Sequence, residues 1–325
     1  MDAVVSKTEL VAVTPASMPI PAAIAAGGNR ASERFFTFFT DTIRNRNTRA
    51  AYYRNAMRFF AWAAARGLSL PAIKSYHVSA YLEELGTDHA APSVKQHLAT
   101  LRMLFDWLIL GHVLEINPAA AVRGPAHVVK KGKTPVLNAE AARQLLDGIG
   151  DGDLVRLRDR ALIGVCLYSF ARIEAALGMD VADYYPNGKR WWFRLREKGG
   201  KPHDMPAHHN AEAYLDAYIQ AAGLADARRE PLFRSAAGKT KRLTPARMTR
   251  HAALKMIQRR AVEAGVNTPV CCHSFRATGI TNYLTNGGTL EKAQRMACHE
   301  SAKTTKLYDR REDELTLDEV ERIAI

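Results

Sequence analysis

The sequence predicts a mainly α-helical protein with one small antiparallel β-sheet, divided into two domains. Apolar residues recur at helical spacing through most of the chain. A single segment combines short aromatic runs with Asn-Gly and Gly-Gly turns, and a Pro- and Lys-rich stretch separates two helical regions. The 325 residues are enough for two domains, and 47% hydrophobic and 24% charged residues are typical of globular proteins.

The first region, residues 30–123, is predicted to be a small helical bundle. Asn47 is placed to cap a helix over residues 48–66, and Ser93 is placed to cap a later helix. Each of three predicted helices stops at a glycine: Gly67, Gly86 and Gly111. The apolar stripes of the first and third helices are Tyr52, Ala56, Phe59, Ala63 and Val94, Leu98, Leu101, Phe105, Leu108.

Three further segments flank or separate the domains. Residues 1–29 are rich in Ala, Pro and Val without a helical stripe, so we expect a flexible tail. Residues 124–135 interrupt the helical periodicity with Gly-Pro and Lys-Lys-Gly-Lys, which indicates an interdomain linker. Residues 314–325 contain a capping box, Thr316 with Glu319, and are predicted to form a C-terminal helix.

The second domain, residues 136–313, is predicted to be mostly helical around a three-stranded meander. Asn138 opens its first helix, and residues 154–170 form a strongly apolar second helix. Strands are expected on both sides of an Asn-Gly turn and of a Gly-Gly turn within residues 183–206. Helical patterns then continue from Asn210 to the end.

Charge is the property that departs most from the average. The chain has 46 Lys and Arg against 33 Asp and Glu, a net charge of +13, and its pI is near 9.7. Residues 30–135 alone carry 15 basic and 7 acidic side chains. This excess suits a polyanionic partner, and the alternative is a merely solvated basic surface.

The composition argues against a membrane protein and a disulfide scaffold. No stretch approaches the roughly 20 apolar residues of a membrane span, and Asp2 and Glu9 are untypical of a signal peptide. We therefore expect a cytoplasmic, nucleoid-associated protein with reduced cysteines. A zinc site built from Cys271, Cys272, His273, Cys298 and His299 is an alternative, but adjacent cysteines point apart and lack the spacing of structural zinc sites. We expect no metal and no cofactor.

The most specific pattern lies near the C-terminus. His273 and Arg276 are three residues apart, so on a helix they share one face. His299 follows in the segment ACHES, and Tyr308 comes nine residues after it. Each residue alone has an ordinary structural explanation, but the four together indicate one site.

These motifs resemble those of the tyrosine recombinases, the family of phage integrases and Xer-type recombinases. The resemblance extends from about residue 32 to the C-terminus, and it implies a helical core-binding domain followed by a DNA breaking-rejoining catalytic domain. It assigns the family's first arginine to Arg172, in YSFARIE, and its hairpin lysine to Lys198, in EKGGK. The implied catalytic residues are Arg172, Lys198, His273, Arg276, His299 and Tyr308.

Three departures from the family pattern surround Arg172 and His299. Phe170 and Cys298 stand where a glycine usually precedes the first arginine and the second histidine. Ala175 occupies the usual acidic position three residues after Arg172, and Glu174 lies one residue earlier. No reacting group is missing, so the sequence predicts a divergent but active member.

The chemistry of phosphoryl transfer explains these residue types. A phenol with a pKa near 10 is about one part in a thousand ionised at pH 7, so Tyr308 needs cations or a base such as His273. Two guanidinium groups, of Arg172 and Arg276, can clamp the charge on a pentacoordinate phosphate. Lys198 can protonate the departing 5′ oxygen. The resemblance implies a 3′-phosphotyrosyl intermediate formed without metal or ATP.

The resemblance also implies double-stranded DNA as the partner, bound by a synaptic tetramer. The residues expected to contact DNA are Arg46, Arg49, Lys95, Arg102, Lys130, Lys131 and Lys133. The linker lysines have a simpler alternative, a solvated extended segment. Helix 314–325 is expected either to dock on a neighbouring protomer or to pack on its own domain. Alternative functions are DNA relaxation of the type IB topoisomerase kind and a catalytically inactive DNA-binding accessory protein.

Overall fold

Two large hydrophobic cores organise the chain. The computed structural model describes residues 18–127, 132–197, 199–238 and 240–309, and it divides the chain into two units, residues 1–128 and 129–325. Each unit has its own core of buried apolar side chains. Both are helical and the second also contains short antiparallel sheets, which confirms the predicted fold class. Among the described residues, no helix is both long and apolar enough to cross a membrane.

The first unit is a helical bundle packed around aromatic rings. Its helices are α1 (Ala22–Ala25), α2 (Gly28–Thr37, extended by a π-helical turn, Phe38–Thr42), α3 (Arg46–Ala64), α4 (Ser75–Asp88) and α5 (Ala91–Leu110). Phe59 of α3 is fully buried. Its ring centroid lies 5.1 Å from that of Tyr81 on α4 and 5.9 Å from that of Phe105 on α5, both edge-on. Such aromatic pairs stabilise a core beyond their buried area.

Two helix starts differ from those predicted. Asn45, not Asn47, caps α3, and its Oδ1 accepts hydrogen bonds from the backbone of Asn47 and Thr48. Helix α5 begins at Ala91, before Ser93, because Pro92 fits the first turn of a helix, where a backbone donor is not needed. Its end at Gly111 is as predicted, whereas the predicted stop at Gly86 is wrong, since α4 continues to Asp88.

The expected tail over residues 1–29 is wrong for the part that the structure describes. Residues 1–17 lie outside the described residues. Met18 and Ile24 are buried in the first core, and the hydroxyl of Tyr53 donates to the carbonyl of Pro19 at 2.9 Å. The segment shows no periodicity because single anchor residues, rather than a stripe, attach it to the bundle.

The second unit is arranged around α7, which contacts helices on several sides. Its helices are α6 (Ala139–Ile149), α7 (Leu154–Tyr168), α8 (Ile173–Leu177), α9 (His209–Ala222), α10 (Arg250–Glu263), α11 (Ser274–Thr285), α12 (Leu290–Met296) and α13 (Ala302–Lys306). Helix α7 contacts α6, α9, α10 and α11, and residues 161–167 are all buried. A helix that is apolar on all sides is expected to be central. Asn138 caps α6 as predicted.

A three-stranded antiparallel sheet confirms the predicted meander. Its strands are β1 (Tyr184–Asn187), β2 (Arg190–Arg196) and β3 (Pro202–Pro206), in that spatial order. Phe193 of β2 is fully buried and pairs with Tyr184 on β1 and Met205 on β3. The alternation of buried and exposed residues along β2 follows from one face of the sheet lying on the core.

A second hairpin, β4 (Arg234–Ala236) with β5 (Leu243–Arg247), was not predicted. The continuous helical pattern expected from Asn210 onward is therefore wrong over this segment. These strands are short and polar, without alternation of apolar residues. Tertiary contacts hold them, since the guanidinium of Arg247 donates to the carbonyls of Leu177 and Met179 at 2.6 and 2.8 Å.

Candidate active site

The first predicted arginine lies where the chain turns from α7 into α8. Arg172 is the N-cap residue of α8. Two residues earlier, Phe170 has a φ of +56°, in the left-handed region that L-residues adopt at a cost. Its side chain is 3% exposed and packs with Ile280 and Leu284. We infer that burial of the ring offsets the strain at a position where the family usually has glycine.

Arg276 lies in the first turn of α11 and is 2% exposed. Its Nη1 donates to the carbonyl of Phe170, and its Nη2 donates to the carbonyl of Ala297. Burial, together with the charge of Arg172, lowers the pKa of Arg276 to about 10, and Glu197 opposes this shift. The two carbonyls orient the guanidinium group by its planar geometry.

A buried carboxylate, missed by sequence reasoning, joins the two arginines. Glu197 is 4% exposed and follows the last residue of β2. Its carboxylate forms an ion pair with Nη1 of Arg172 and lies 3.9 Å from Nη1 of Arg276. The only signal in the sequence was its position directly before Lys198, which does not reveal contacts with residues 172 and 276.

His299 and Tyr308 stack against each other. Their ring centroids are 5.7 Å apart and the planes differ by 10°. Nδ1 of His299 lies 2.9 Å from the hydroxyl of Thr305. Burial, then Arg276 and Arg172, lower the pKa of His299 to about 3, so the imidazole is neutral at pH 7. The hydroxyl of Thr281 donates to the carbonyl of Tyr308 at 2.8 Å, which fixes the backbone that carries the phenol.

His273 lies at the N-terminus of α11, at the surface of the unit. Partial loss of water around the ring lowers its pKa, and the charges of Arg250, Arg276 and Arg172 act in the same direction, against Glu174. A histidine with a pKa below 6.5 is mostly neutral at pH 7 and can accept a proton.

Lys198, the sixth predicted residue, lies outside the described residues. Its neighbours Glu197 and Gly199 lie in the turn between β2 and β3. The Glu197 carbonyl accepts a hydrogen bond from the backbone of Gly200 at 2.9 Å, and the Glu197 amide donates to the carbonyl of Lys201 at 2.8 Å. Of the other five predicted residues, Arg172 and Arg276 meet at Glu197, and His299 stacks on Tyr308. The charges of both arginines act on His299 and on His273.

A cavity of about 980 Å³ opens beside this group. Arg172, Glu197, Cys298 and His299 line it, together with Lys201. Within the described ranges, no group of three or more His, Cys, Asp or Glu side chains could hold a metal ion. Its lining combines four cationic side chains, Arg172, Lys201, Lys292 and Arg295, with the carboxylates of Glu197, Asp204, Glu291 and Glu300. A guanidinium group such as that of Arg172 suits an anionic substrate group.

The linker contributes a contact that the sequence did not reveal. The backbone amide of Gly132 donates to the carbonyl of Leu307 at 3.0 Å, one residue before Tyr308. A Cβ at position 132 would lie 2.7 Å from that carbonyl oxygen, so only glycine permits this approach. Lys133 is exposed, whereas Lys130 and Lys131 lie outside the described residues.

The predicted DNA contacts of the first unit fall into two kinds. Arg46 and Lys95 are exposed, and for them the prediction stays open. The guanidinium of Arg49 donates to the carbonyl of Ile43 at 2.9 and 3.1 Å. That of Arg102 donates to the carbonyls of residues 119 and 122. These contacts give Arg49 and Arg102 a structural role that sequence reasoning missed.

This fold and site define an enzyme class, the phosphoryl-transfer enzymes that use a tyrosine as nucleophile. Within it, the chain belongs to the phage integrase family, whose sequence pattern matches residues 135–314. The N-terminal SAM-like domain of phage integrases matches residues 33–111. Its relatives include tyrosine recombinase XerD of Mycobacterium leprae (strain TN), 28% identical over 81% of this chain and 86% of XerD. Tyrosine recombinase XerC of Escherichia coli O139:H28 (strain E24377A / ETEC) is 26% identical over 79% of this chain and 83% of XerC.

Solved structures share the fold. The XerH site-specific recombinase, in a post-cleavage complex with its palindromic difH substrate, matches with a TM-score of 0.67 at 20% identity, over 86% of this chain and 79% of XerH. Lambda integrase, as a tetramer bound to a Holliday junction, matches with a TM-score of 0.65 at 18% identity, over 88% of this chain and 79% of the integrase.

Proposed function

We propose that this protein is a site-specific DNA recombinase that cleaves and rejoins strands through a 3′-phosphotyrosyl intermediate. The observation that carries the proposal is the convergence of Arg172 and Arg276 on Glu197, beside the stacked rings of His299 and Tyr308. The names of the relatives support it, because XerC and XerD are tyrosine recombinases and XerH is a site-specific recombinase.

In the proposed reaction, the phenolic oxygen of Tyr308 attacks the scissile phosphorus. The phenol's proton passes to His273, and the bond from phosphorus to the 5′ oxygen breaks. Lys198 protonates that oxygen, which leaves a free 5′-OH and a 3′-phosphotyrosyl link. A 5′-OH from the partner strand then attacks the link by the same steps in reverse, so the phosphodiester bond energy is retained and no ATP is consumed.

The side chains around the cavity suit the charge that develops on phosphorus. The guanidinium groups of Arg172 and Arg276 would bind the non-bridging oxygens, and such preorganised donors stabilise a transition state strongly in a water-poor site. When the Thr305 hydroxyl donates to Nδ1 of His299, Nε2 carries the proton and can donate to the same phosphate. Because Tyr308 stacks on the histidine of its own chain, we propose that attack occurs in cis.

We propose duplex DNA as the partner and a tetramer as the active assembly. Lambda integrase forms a tetramer on a Holliday junction with the same fold. The surface of the first unit and the linker would contact phosphates through Arg46, Lys95, Lys130, Lys131 and Lys133. We propose that the helix predicted over residues 314–325, which lies outside the described residues, exchanges between protomers. A chain ending at residue 313 should still bind one DNA site but fail to recombine two; unchanged recombination contradicts the exchange.

The adduct assay tests the reaction directly. The protein is incubated with a nicked suicide duplex that carries the end of its DNA element, and the products are separated in SDS. We expect a covalent protein–DNA adduct with wild type and none with Tyr308→Phe, because the variant lacks the nucleophilic oxygen. No adduct with wild type, or equal adduct with the variant, refutes the proposal.

Two controls separate the alternative functions. Relaxation of a supercoiled plasmid that lacks the element's site indicates topoisomerase-like activity. Salt-sensitive binding to the site without any adduct indicates an inactive accessory protein.

A further inference from the structure

The question left by the sequence is which acidic group supports Arg172. Ala175, at the position where the family carries an acid, is 4% exposed in the core. Glu174 has a side chain 63% exposed and pairs with Arg250 at 3.5 Å. Neither residue provides a carboxylate to Arg172, so the support comes from elsewhere in the fold.

We propose that Glu197 is a positioning residue that holds the guanidinium groups of Arg172 and Arg276 at the spacing needed to clamp the scissile phosphate. One carboxylate oxygen pairs with Nη1 of Arg172. The other lies 3.4 Å from the backbone amide of Arg172 and 3.9 Å from Nη1 of Arg276. The inference rests on the proposed function, and it assigns a role that the family places elsewhere in the chain.

Electrostatics explain why such a carboxylate is required. Two guanidinium groups that share a site repel each other, and the repulsion is strong where little water screens it. Arg276 is 2% exposed and the Arg172 side chain 26% exposed, with Glu197 buried between them. Removing the carboxylate would leave Arg172 without its ion-pair partner and leave the repulsion unopposed, so Arg172 would swing toward the cavity.

The same residue connects the clamp to the hairpin turn. The main chain of Glu197 donates to the carbonyl of Lys201 and accepts from the amide of Gly200. Gly199 and Gly200 both have positive φ, 81° and 76°, which closes the turn between β2 and β3. A side chain fixed to Arg172 and a main chain fixed in this turn make Glu197 the link between the arginines and the segment that contains Lys198.

The test compares Glu197→Gln, which keeps the shape and removes the charge, with Glu197→Asp, which keeps the charge and shortens the reach. Glu174→Gln is the matched control, since it removes an exposed carboxylate two residues from Arg172. For each full-length variant, three quantities are measured: the thermal midpoint, the dissociation constant for the uncleaved duplex in a Tyr308→Phe background, and the first-turnover rate of adduct formation at saturating protein.

We expect Glu197→Gln to slow adduct formation by about 100-fold, comparable to loss of one preorganised donor. Glu197→Asp should recover about tenfold of that rate, which leaves it about tenfold below wild type, and Glu174→Gln should stay within about twofold of wild type. The dissociation constant should change by less than about threefold in all three. Adding Glu197→Gln to Arg172→Ala should cause a smaller loss than Glu197→Gln causes alone, because the ion pair with Arg172 is then already absent and only the approach to Arg276 remains.

Several results would overturn the inference. A wild-type rate for Glu197→Gln excludes any positioning role, and equal losses for Gln and Asp exclude a role of the charge. A loss that disappears at saturating protein assigns Glu197 to DNA binding instead. If Glu197→Gln does not fold, a wild-type rate for Glu197→Asp shows that the length of the side chain does not set the spacing of the two guanidinium groups, which overturns the inference. A wild-type protein that forms no adduct is a different failure, that of the proposed function itself.

Discussion

Among the described residues of the second unit, two buried carboxylates, those of Asp159 and Glu197, each pair with more than one arginine, and only Glu197 belongs to the candidate site. In the Asp159 cluster, Asp159 on α7 binds Arg158 at 2.5 and 3.0 Å and Arg260 on α10 at 2.8 and 2.9 Å. In the Glu197 cluster, Glu197 binds Arg172 and approaches Arg276. A buried ion pair is therefore not by itself a sign of function.

What distinguishes the clusters is where the guanidinium groups face. Arg158 and Arg260 are 2% and 5% exposed, and they also donate to the carbonyl of Arg234 and to Glu263. The Asp159 cluster thus joins α7 to α10 and satisfies its donors internally. Arg172 is 26% exposed and lines the large cavity beside His299. The candidate site is distinguished by a charged side chain that faces an open cavity, and not by the burial of charge alone.

The largest expected effect is on stability, in the Asp159 cluster. Asp159→Ala should lower the free energy of unfolding by about 3–5 kcal/mol, because two buried arginines lose their partner. Urea unfolding followed by circular dichroism measures this loss. Glu263→Gln, at the rim of the same cluster, is the control and should cost no more than about 1 kcal/mol. A loss below about 1 kcal/mol for Asp159→Ala would show that the two clusters do not differ as described.

The next effect is on catalysis, in the Glu197 cluster. Arg172→Ala should slow first-turnover adduct formation by about 10²–10³-fold, since it removes a donor to the transition state, and it should change the urea midpoint little. Arg196→Ala is a suitable control, because Arg196 is a neighbouring arginine with a side chain 57% exposed and paired with Asp183 at 3.4 Å. At saturating protein its rate should match wild type. If Arg172→Ala unfolds the protein without specifically slowing adduct formation, then the Glu197 cluster is structural, like the Asp159 cluster.

The smallest effect concerns backbone strain, which accompanies only the Glu197 cluster. Residues 158, 159 and 260 lie within regular helices, whereas Phe170 and Cys298, next to the carbonyls that hold Arg276, have φ of +56° and +48°. Cys298→Gly should raise the free energy of unfolding by about 0.5–1 kcal/mol, the relieved strain less the added freedom of glycine when unfolded.

Phe170→Gly is the control, because it should change the free energy of unfolding in the opposite direction. It relieves the same kind of strain but removes a ring that is 3% exposed, so a net loss of about 2 kcal/mol or more is expected. Thermal unfolding of both variants measures the difference. If Cys298→Gly lowers the free energy of unfolding, the contacts of the thiol stabilise the protein by more than the backbone strain destabilises it.

Where local signals were strong, the sequence predicted structure correctly. Asn138 caps α6, Gly111 ends α5, and the Asn-Gly and Gly-Gly turns bound the strands of the meander. Such signals act through hydrogen bonds and dihedral angles within a few residues, so they can be read without knowing the fold. The α3 cap was misplaced by two residues, because Asn45 and Asn47 present the same side chain and only geometry chooses between them.

The sequence by itself determined the fold class, because this depends on periodicity and turns. The resemblance of its motifs to a known family predicted the residue types of the reaction. Only the tertiary structure decided which groups support them. Glu197 reaches Arg172 from 25 residues away, and Gly132 meets the segment of Tyr308 from the far end of the unit. Contacts between residues so distant in sequence depend on how helices and strands pack, and no local pattern encodes that packing.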